Sequence, residues 1–268
     1  MLRNLAVTLT LGTALAVGVA SISTATDYAT ICLRSTTTAA GGCPPRLIVK
    51  FGGGVTPKKL PKHRLAPVAV GLWGKVSTDN GAQPPALRQL TIDFDRNAAV
   101  NAKGLPVCHP FPRYQGTGDL RKICRSAIVG SGTANFEITF PEELPKPDPG
   151  KLVIFNGGVK AGVTTLYAVA FVTVPTPNSI VTKVKIKRID KGPYGLQAVA
   201  EIPSIAGGYG SLLDFSFKIK QLFTYKGTKQ SFALARCPDG HLSAKVSTTF
   251  NTGAKIEGTL TKPCTPKG

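Results

Sequence analysis

An alternation of apolar and polar residues, repeated along most of the chain, is the feature that most restricts what this sequence can fold into. Leu90, Ile92 and Phe94 fall on one side of an extended segment while Thr91, Asp93 and Asp95 fall on the other. A side-chain period of two belongs to a strand with one buried face. The pattern returns at Val68/Val70/Leu72, Phe136/Ile138/Phe140, Leu196/Ala198/Ala200/Ile202, Phe215/Phe217/Ile219 and Leu242/Ala244/Val246/Thr248/Phe250. The run Thr165 to Val174 is apolar on both sides, as expected of a central strand covered on both faces. Turn-forming groups punctuate these runs: Asp79-Asn80-Gly81, Asn156-Gly157-Gly158, Lys191-Gly192-Pro193, Ala206-Gly207-Gly208, Tyr225-Lys226-Gly227, Pro238-Asp239-Gly240 and Asn251-Thr252-Gly253. The expectation is an all-β protein, an antiparallel β-sandwich of one domain or of two packed β units. One short helix is expected over residues 117–125, with Leu120, Ile123 and Cys124 on one face behind a Thr117 cap.

The chain before Pro67 reads differently. Arg3 precedes a charge-free apolar run from Leu5 to Ala20, and Ser23-Thr24-Ala25 supplies small residues at a cleavage site. Residues 1–25 therefore read as a secretory signal peptide. No later run is long enough to span a bilayer as a helix, so no transmembrane segment is expected after cleavage. Residues 26–66 read as a flexible segment with one strand at Leu47-Ile48-Val49-Lys50-Phe51, and residues 67–268 as the β region. Pro141 to Gly150, with four prolines, is the candidate subdivision within it.

The chain has six cysteines. In an exported protein an even count points to disulfides, and neighbours in sequence suggest Cys32 with Cys43, Cys108 with Cys124, and Cys237 with Cys264. A metal site is disfavoured, since no Cys-x-x-Cys occurs and His63, His109 and His241 are scattered. Ala40-Gly41-Gly42-Cys43 has the small residues of a lipid-modified cysteine but lies too far beyond Ala20.

Three stretches, Leu90-Thr91-Ile92-Asp93-Phe94-Asp95, Ala127-Ile128-Val129-Gly130-Ser131-Gly132-Thr133-Ala134 and Leu152-Val153-Ile154-Phe155-Asn156-Gly157-Gly158-Val159-Lys160, resemble a group of secreted actinobacterial proteins of unassigned function. The resemblance spans about Pro67 to the C-terminus. It implies export and carries no catalytic motif.

Catalytic patterns are incomplete. Asp93, Asp95 and Asn97 open like a calcium loop, but Ala98 stands where glycine is needed and Gly104 where a bidentate glutamate should be. On a strand, the two aspartates more simply decorate a solvent face. With Glu137, Glu142 or Glu143 they could instead serve a secreted hydrolase, the alternative reading of function. Gly130-Ser131-Gly132 lacks the spacing of a nucleophile elbow and reads as a bend. Gly52-Gly53-Gly54 lacks the lysine of a phosphate loop, and nothing in the sequence calls for a cofactor.

Charge is the remaining signal: 33 Lys plus Arg stand against 14 Asp plus Glu, a formal net charge of +19. Lys183, Lys185 and Lys187 occupy alternate positions of one strand, and Lys218 and Lys220 oppose Phe215, Phe217 and Ile219. If these strands share a sheet, its outer face is a basic platform for an anionic cell-wall polymer or polysaccharide. Specific nucleic-acid recognition is disfavoured, because aromatics make up only 7% and leave few stacking surfaces beside the lysines. Sequence alone therefore favours an exported, non-enzymatic envelope or extracellular binding or structural module.

Overall fold

The computed structural model describes residues 28–32, 45–109, 120–174 and 177–268. The expected signal peptide, the Thr117 cap and Cys43, with its pairing to Cys32, lie outside those residues. The fold is all-β. Twelve strands, numbered here along the chain, form one antiparallel sheet: β1 (Tyr28–Cys32), β2 (Arg46–Thr56), β3 (Ala69–Thr78), β4 (Leu87–Asp95), β5 (Ile128–Ile138), β6 (Lys146–Lys160), β7 (Val163–Val172), β8 (Asn178–Lys191), β9 (Tyr194–Glu201), β10 (Gly210–Ile219), β11 (His241–Phe250) and β12 (Lys255–Pro263). Their spatial order is β1-β2-β3-β10-β5-β6-β7-β8-β9-β4-β11-β12.

The sheet coils until β12 lies against β1 and β2, giving a barrel-like sandwich closed except for a seam that carries no ladder. Gly258 of β12 makes this approach feasible: a Cβ there would stand 2.6 Å from the ring tip of Phe51 on β2. The alternating runs turn their apolar sides inward, except that Phe140 lies past the end of β5 against Tyr209. Leu90, Ile92 and Phe94, then Phe215 and Phe217, and Ala244 with Val246 and Phe250 all join the interior clusters.

The β7 strand is apolar on both sides because it is covered on both. Leu166, Ala168 and Ala170 point inward, while Val169 packs outward with Val153 and Phe155 of β6 beneath a cap made by Cys108, Leu120, Cys124 and Ala127. The expected helix contributes one turn, α1 (Leu120–Ile123), followed by a 3-10 turn over Arg125–Ala127. The Cys108–Cys124 bridge ties it down, with Cα atoms 5.4 Å apart.

Several local expectations are corrected. The strand expected at 47–51 runs from Arg46 to Thr56 and pairs with β3 along its length, so the sheet begins well before Pro67. Pro141 to Gly150 does not divide the protein: Lys146–Gly150 is already β6, paired with β5. Pro147 and Pro149 are tolerated because this stretch extends past the last β7 pair, Phe171 with Lys151, and needs no donors on that side. Asn156-Gly157-Gly158 is not a turn but an irregularity inside β6, where the register with β7 shifts. Asn156 is fully buried and its Nδ2 donates to the Pro106 carbonyl at 2.9 Å. The hairpin turn falls instead at Ala161-Gly162, both with positive φ. Gly130 and Gly132 are not a bend but lie within β5. A Cβ on Gly132 would come within 1.9 Å of the Ser216 carbonyl oxygen on β10.

Two clusters succeed each other along the strands. On β7, Ala170 and Val172 belong to one and Leu166 to the other. Leu47, Val76, Phe136, Leu212 and Phe250 fill the first end. At the second end a three-stranded plug, Ala66–Pro67, Ala98–Val100 and Ala233–Ala235, packs with Leu60, Phe232 and the Cys237–Cys264 disulfide.

Candidate functional site: an apolar chamber beside a basic cleft

Between the two packed ends lies a chamber of about 400 Å³. Its origin is geometric. Side chains just fill a barrel of about eight strands, and wider barrels enclose space. Twelve strands surround this interior, and the residues at mid-height are small: Ala134 on β5, Ala168 and Ala170 on β7, Ala198 and Ala200 on β9, and Ala244 on β11 all line it. Inward-pointing Leu72, Leu90, Phe94 and Phe217 pack against the clusters on one side and line the chamber on the other, and they remain only half-buried. The wall is otherwise apolar, and its few polar residues include Asp95, Thr182 and Ser243, with Lys58 and Lys262 toward the plugged end.

The two aspartates sit differently from the expected solvent face. Each is only 8% exposed. β4 has strands on both flanks, and Gln197 of β9 and Lys245 of β11 stand directly beside Asp93. Gln197 Nε2 donates to Asp93 Oδ1 at 2.8 Å. Asp95 Oδ1 accepts from the backbone N–H of Asn97 at 2.9 Å and from its Nδ2 at 2.8 Å, while Oδ2 accepts from the Ser243 N–H at 3.0 Å. Asn97 Oδ1 in turn accepts from Arg236 Nε at 2.8 Å. Asp95 thus anchors a relay that fixes an arginine. Among the described residues, no group of three or more His, Cys, Asp or Glu side chains is arranged to hold a metal. His63, His109 and His241 are all exposed.

Of the five lysines singled out by sequence, four lie in one sheet and Lys220 immediately follows it; all are exposed, but in two stripes. Lys183, Lys185 and Lys187 are on β8, whereas Lys218 and Lys220 are at the end of β10, four strand steps away, or about 19 Å along the sheet. Lys185 Nζ also approaches Glu201 Oε1 at 3.6 Å. On the neighbouring outer face, Lys245 pairs with Glu257 at 2.7 Å. That hydrogen bond raises the lysine's pKa and lowers the carboxylate's.

Lys187 belongs to another constellation. Outside the plug, a cleft of about 480 Å³ brings it together with Arg96, Lys103, Arg188 and Arg236, and no carboxylate lines it. Arg96, Lys103 and Arg236 come from other parts of the chain, so spacing could not have found them. Only the adjacency of Lys187 and Arg188 hinted at one end of the group. Chamber and cleft share the wall residues Ala98, Ala99, Val100, Ile186 and Leu196.

No known family matches this chain, and neither a curated protein nor a solved structure resembles it.

Proposed function

We propose that this protein is an exported, non-enzymatic binding module whose barrel holds an apolar small molecule in the central chamber. The chamber itself carries the reading. Its volume falls in the ordinary range for small-molecule sites, roughly 300–1,000 Å³, and its wall is apolar with few polar groups. By comparison with a cavity of about 150 Å³ that accommodates benzene, it has room for roughly a dozen or more carbon atoms. Such a ligand gains by leaving water, about 25 cal/mol for each Å² of apolar surface buried. Hydrolysis at Asp93 and Asp95 is less well supported, because Asp93 Oδ1 is engaged with Gln197 and both Asp95 oxygens with Asn97 and Ser243. Two disulfides favour an oxidising compartment, and no helix among the described residues is long and apolar enough to cross a membrane.

The lysine stripes support a subsidiary contact with anionic polymers on the outer surface, made separately by the β8 and β10 stripes. The direct test of the main reading is titration of oxidised, lipid-extracted protein with N-phenyl-1-naphthylamine, a neutral apolar fluorophore. Saturable, blue-shifted emission at one site per chain is expected. A non-saturating rise equal to that of the unfolded chain would overturn the proposal.

A further inference from the structure

We infer that the ligand is an anionic amphiphile, a single alkyl tail in the chamber with a carboxylate or phosphate monoester head in the cleft of Arg96, Lys103, Lys187, Arg188 and Arg236. This rests on the chamber reading and adds the head-group chemistry.

Several observations converge on it. Five Lys and Arg residues line the cleft, and no Asp or Glu does. A few surface cations have carboxylate partners, as in Arg46 with Asp79, Lys185 with Glu201 and Lys245 with Glu257, and none of the cleft's lining residues supplies one. Like charges brought together raise one another's energy, and a bound anion relieves that repulsion. Arg236 is held in place for the purpose: Nε donates to Asn97 Oδ1, and Asn97 is itself fixed by buried Asp95. A preset guanidinium suits carboxylate and phosphate oxygens, which accept its hydrogen bonds in a fixed plane.

The cleft is also amphipathic. Leu65 and Val159 line it while remaining 44% and 55% exposed, an apolar margin beside the cations. The partition between cleft and chamber is the short strand Ala98–Val100 with Ile186 and Leu196. Ala98 and Ala99 have the smallest side chains that a partition can carry short of glycine. A head on one side and a tail on the other requires the Ala98–Val100 strand, paired with Ala233–Ala235, to shift from Ile186 and Leu196, and the small alanines leave little side chain to obstruct that shift.

The test is displacement of N-phenyl-1-naphthylamine from the full oxidised protein by dodecanoate, dodecyl phosphate and uncharged methyl dodecanoate. Both anions should bind about tenfold or more tightly than the ester at low salt, the size expected for one charge-assisted contact, and the advantage should shrink as salt rises. Whichever anion gains more identifies the head. Arg96→Gln combined with Arg188→Gln should abolish the advantage while leaving fluorophore affinity within about twofold, which also shows that the variant is folded. Lys58→Gln, at the chamber but outside the cleft, should leave the advantage intact. If the ester binds as tightly as the anions, the head-group inference fails and the chamber reading stands. If Lys58→Gln rather than the arginine pair removes the advantage, the head lies elsewhere and the cleft assignment is wrong. If none of the three displaces a fluorophore that does bind, the single-tail amphiphile is excluded. If the fluorophore itself does not bind, both readings fall.

Discussion

Replacing Ala168 or Ala198 by leucine tests whether the space between the two packed ends is a real chamber, because the sign of the effect depends on the answer. Both alanines line the void, on β7 and β9. Each substitution adds three carbons. Buried methylenes contribute about 0.8 kcal/mol each, from which roughly 0.5–1 kcal/mol of lost leucine rotamer freedom must be subtracted. The net expectation is stabilisation by about 1.5 kcal/mol. For a chain of 268 residues, this corresponds to a rise in Tm of about 3–6 °C, at roughly 2–4 °C per kcal/mol. The same leucine forced into a close-packed core would destabilise by about 1–3 kcal/mol. Thermal unfolding of the oxidised protein measures the sign, and fluorophore titration of the same samples should show weakened binding as the chamber shrinks. A lower Tm together with unchanged fluorophore affinity would refute the reasoning, since it would mean that the alanines face packed atoms and the fluorophore sits elsewhere.

Other perturbations probe other parts of the molecule. Gly132→Ala should destabilise by about 1–3 kcal/mol by driving β10 away from β5, since the Ser216 carbonyl is backbone and cannot rotate aside; denaturant unfolding would show it. Opening Cys108–Cys124 by a double serine substitution should cost on the order of 3 kcal/mol and expose the outer faces of Val153 and Phe155, read as a lower Tm and faster amide exchange in β6. Glu257 has a pKa held below the usual 4.5, chiefly by the Lys245 hydrogen bond, so its contribution is present above that value and lost as pH falls through the folded pKa. Glu257→Gln should therefore lower stability at pH 7 by no more than about 1 kcal/mol and flatten the acid limb below pH about 4.5. Replacing Lys183, Lys185 and Lys187 by glutamine should weaken low-salt binding to heparin-like polysaccharide and reduce its salt slope by about 3, with the fold unchanged by circular dichroism.

The strands were legible because the period-two rule depends only on which face is wet. It correctly oriented Leu90, Ile92 and Phe94, Phe215 and Phe217, and Ala244 and Val246. It also read β7 as covered on both sides, and the cap that covers it proved to be α1 with its disulfide. Glycine was less transparent. Asn156-Gly157-Gly158 looks like a hairpin turn, yet Gly157 makes room for Tyr167 on the adjacent strand, where a Cβ would stand 2.6 Å from its ring. Gly130 and Gly132 serve the approach of another backbone. A turn and a close approach place the same demand on sequence, and only the partner strand distinguishes them. The aspartates misled for a related reason. Alternation placed Asp93 and Asp95 on the solvent face, whereas Gln197 and Lys245 flank Asp93 and the buried Asp95 lines the chamber and bonds Asn97 and Ser243.

The chamber was invisible for a deeper reason. Alternation specifies a face but not how many strands share it, and the difference between a filled sandwich and a hollow barrel lies in that number. An interior alanine looks the same in either case. Once twelve strands enclose the interior, Ala134, Ala168, Ala170, Ala198, Ala200 and Ala244 become the residues that keep it open. Side chains that border this space of about 400 Å³ have no partner atoms across it and forgo the contacts that a filled core would give them. Larger side chains at any of these positions would recover part of that loss, so six alanines facing one space make the free protein weaker than its strands allow. On the proposed binding function, an apolar occupant that binds only the folded chain would restore contacts and shift unfolding to higher temperature as its concentration rises above Kd.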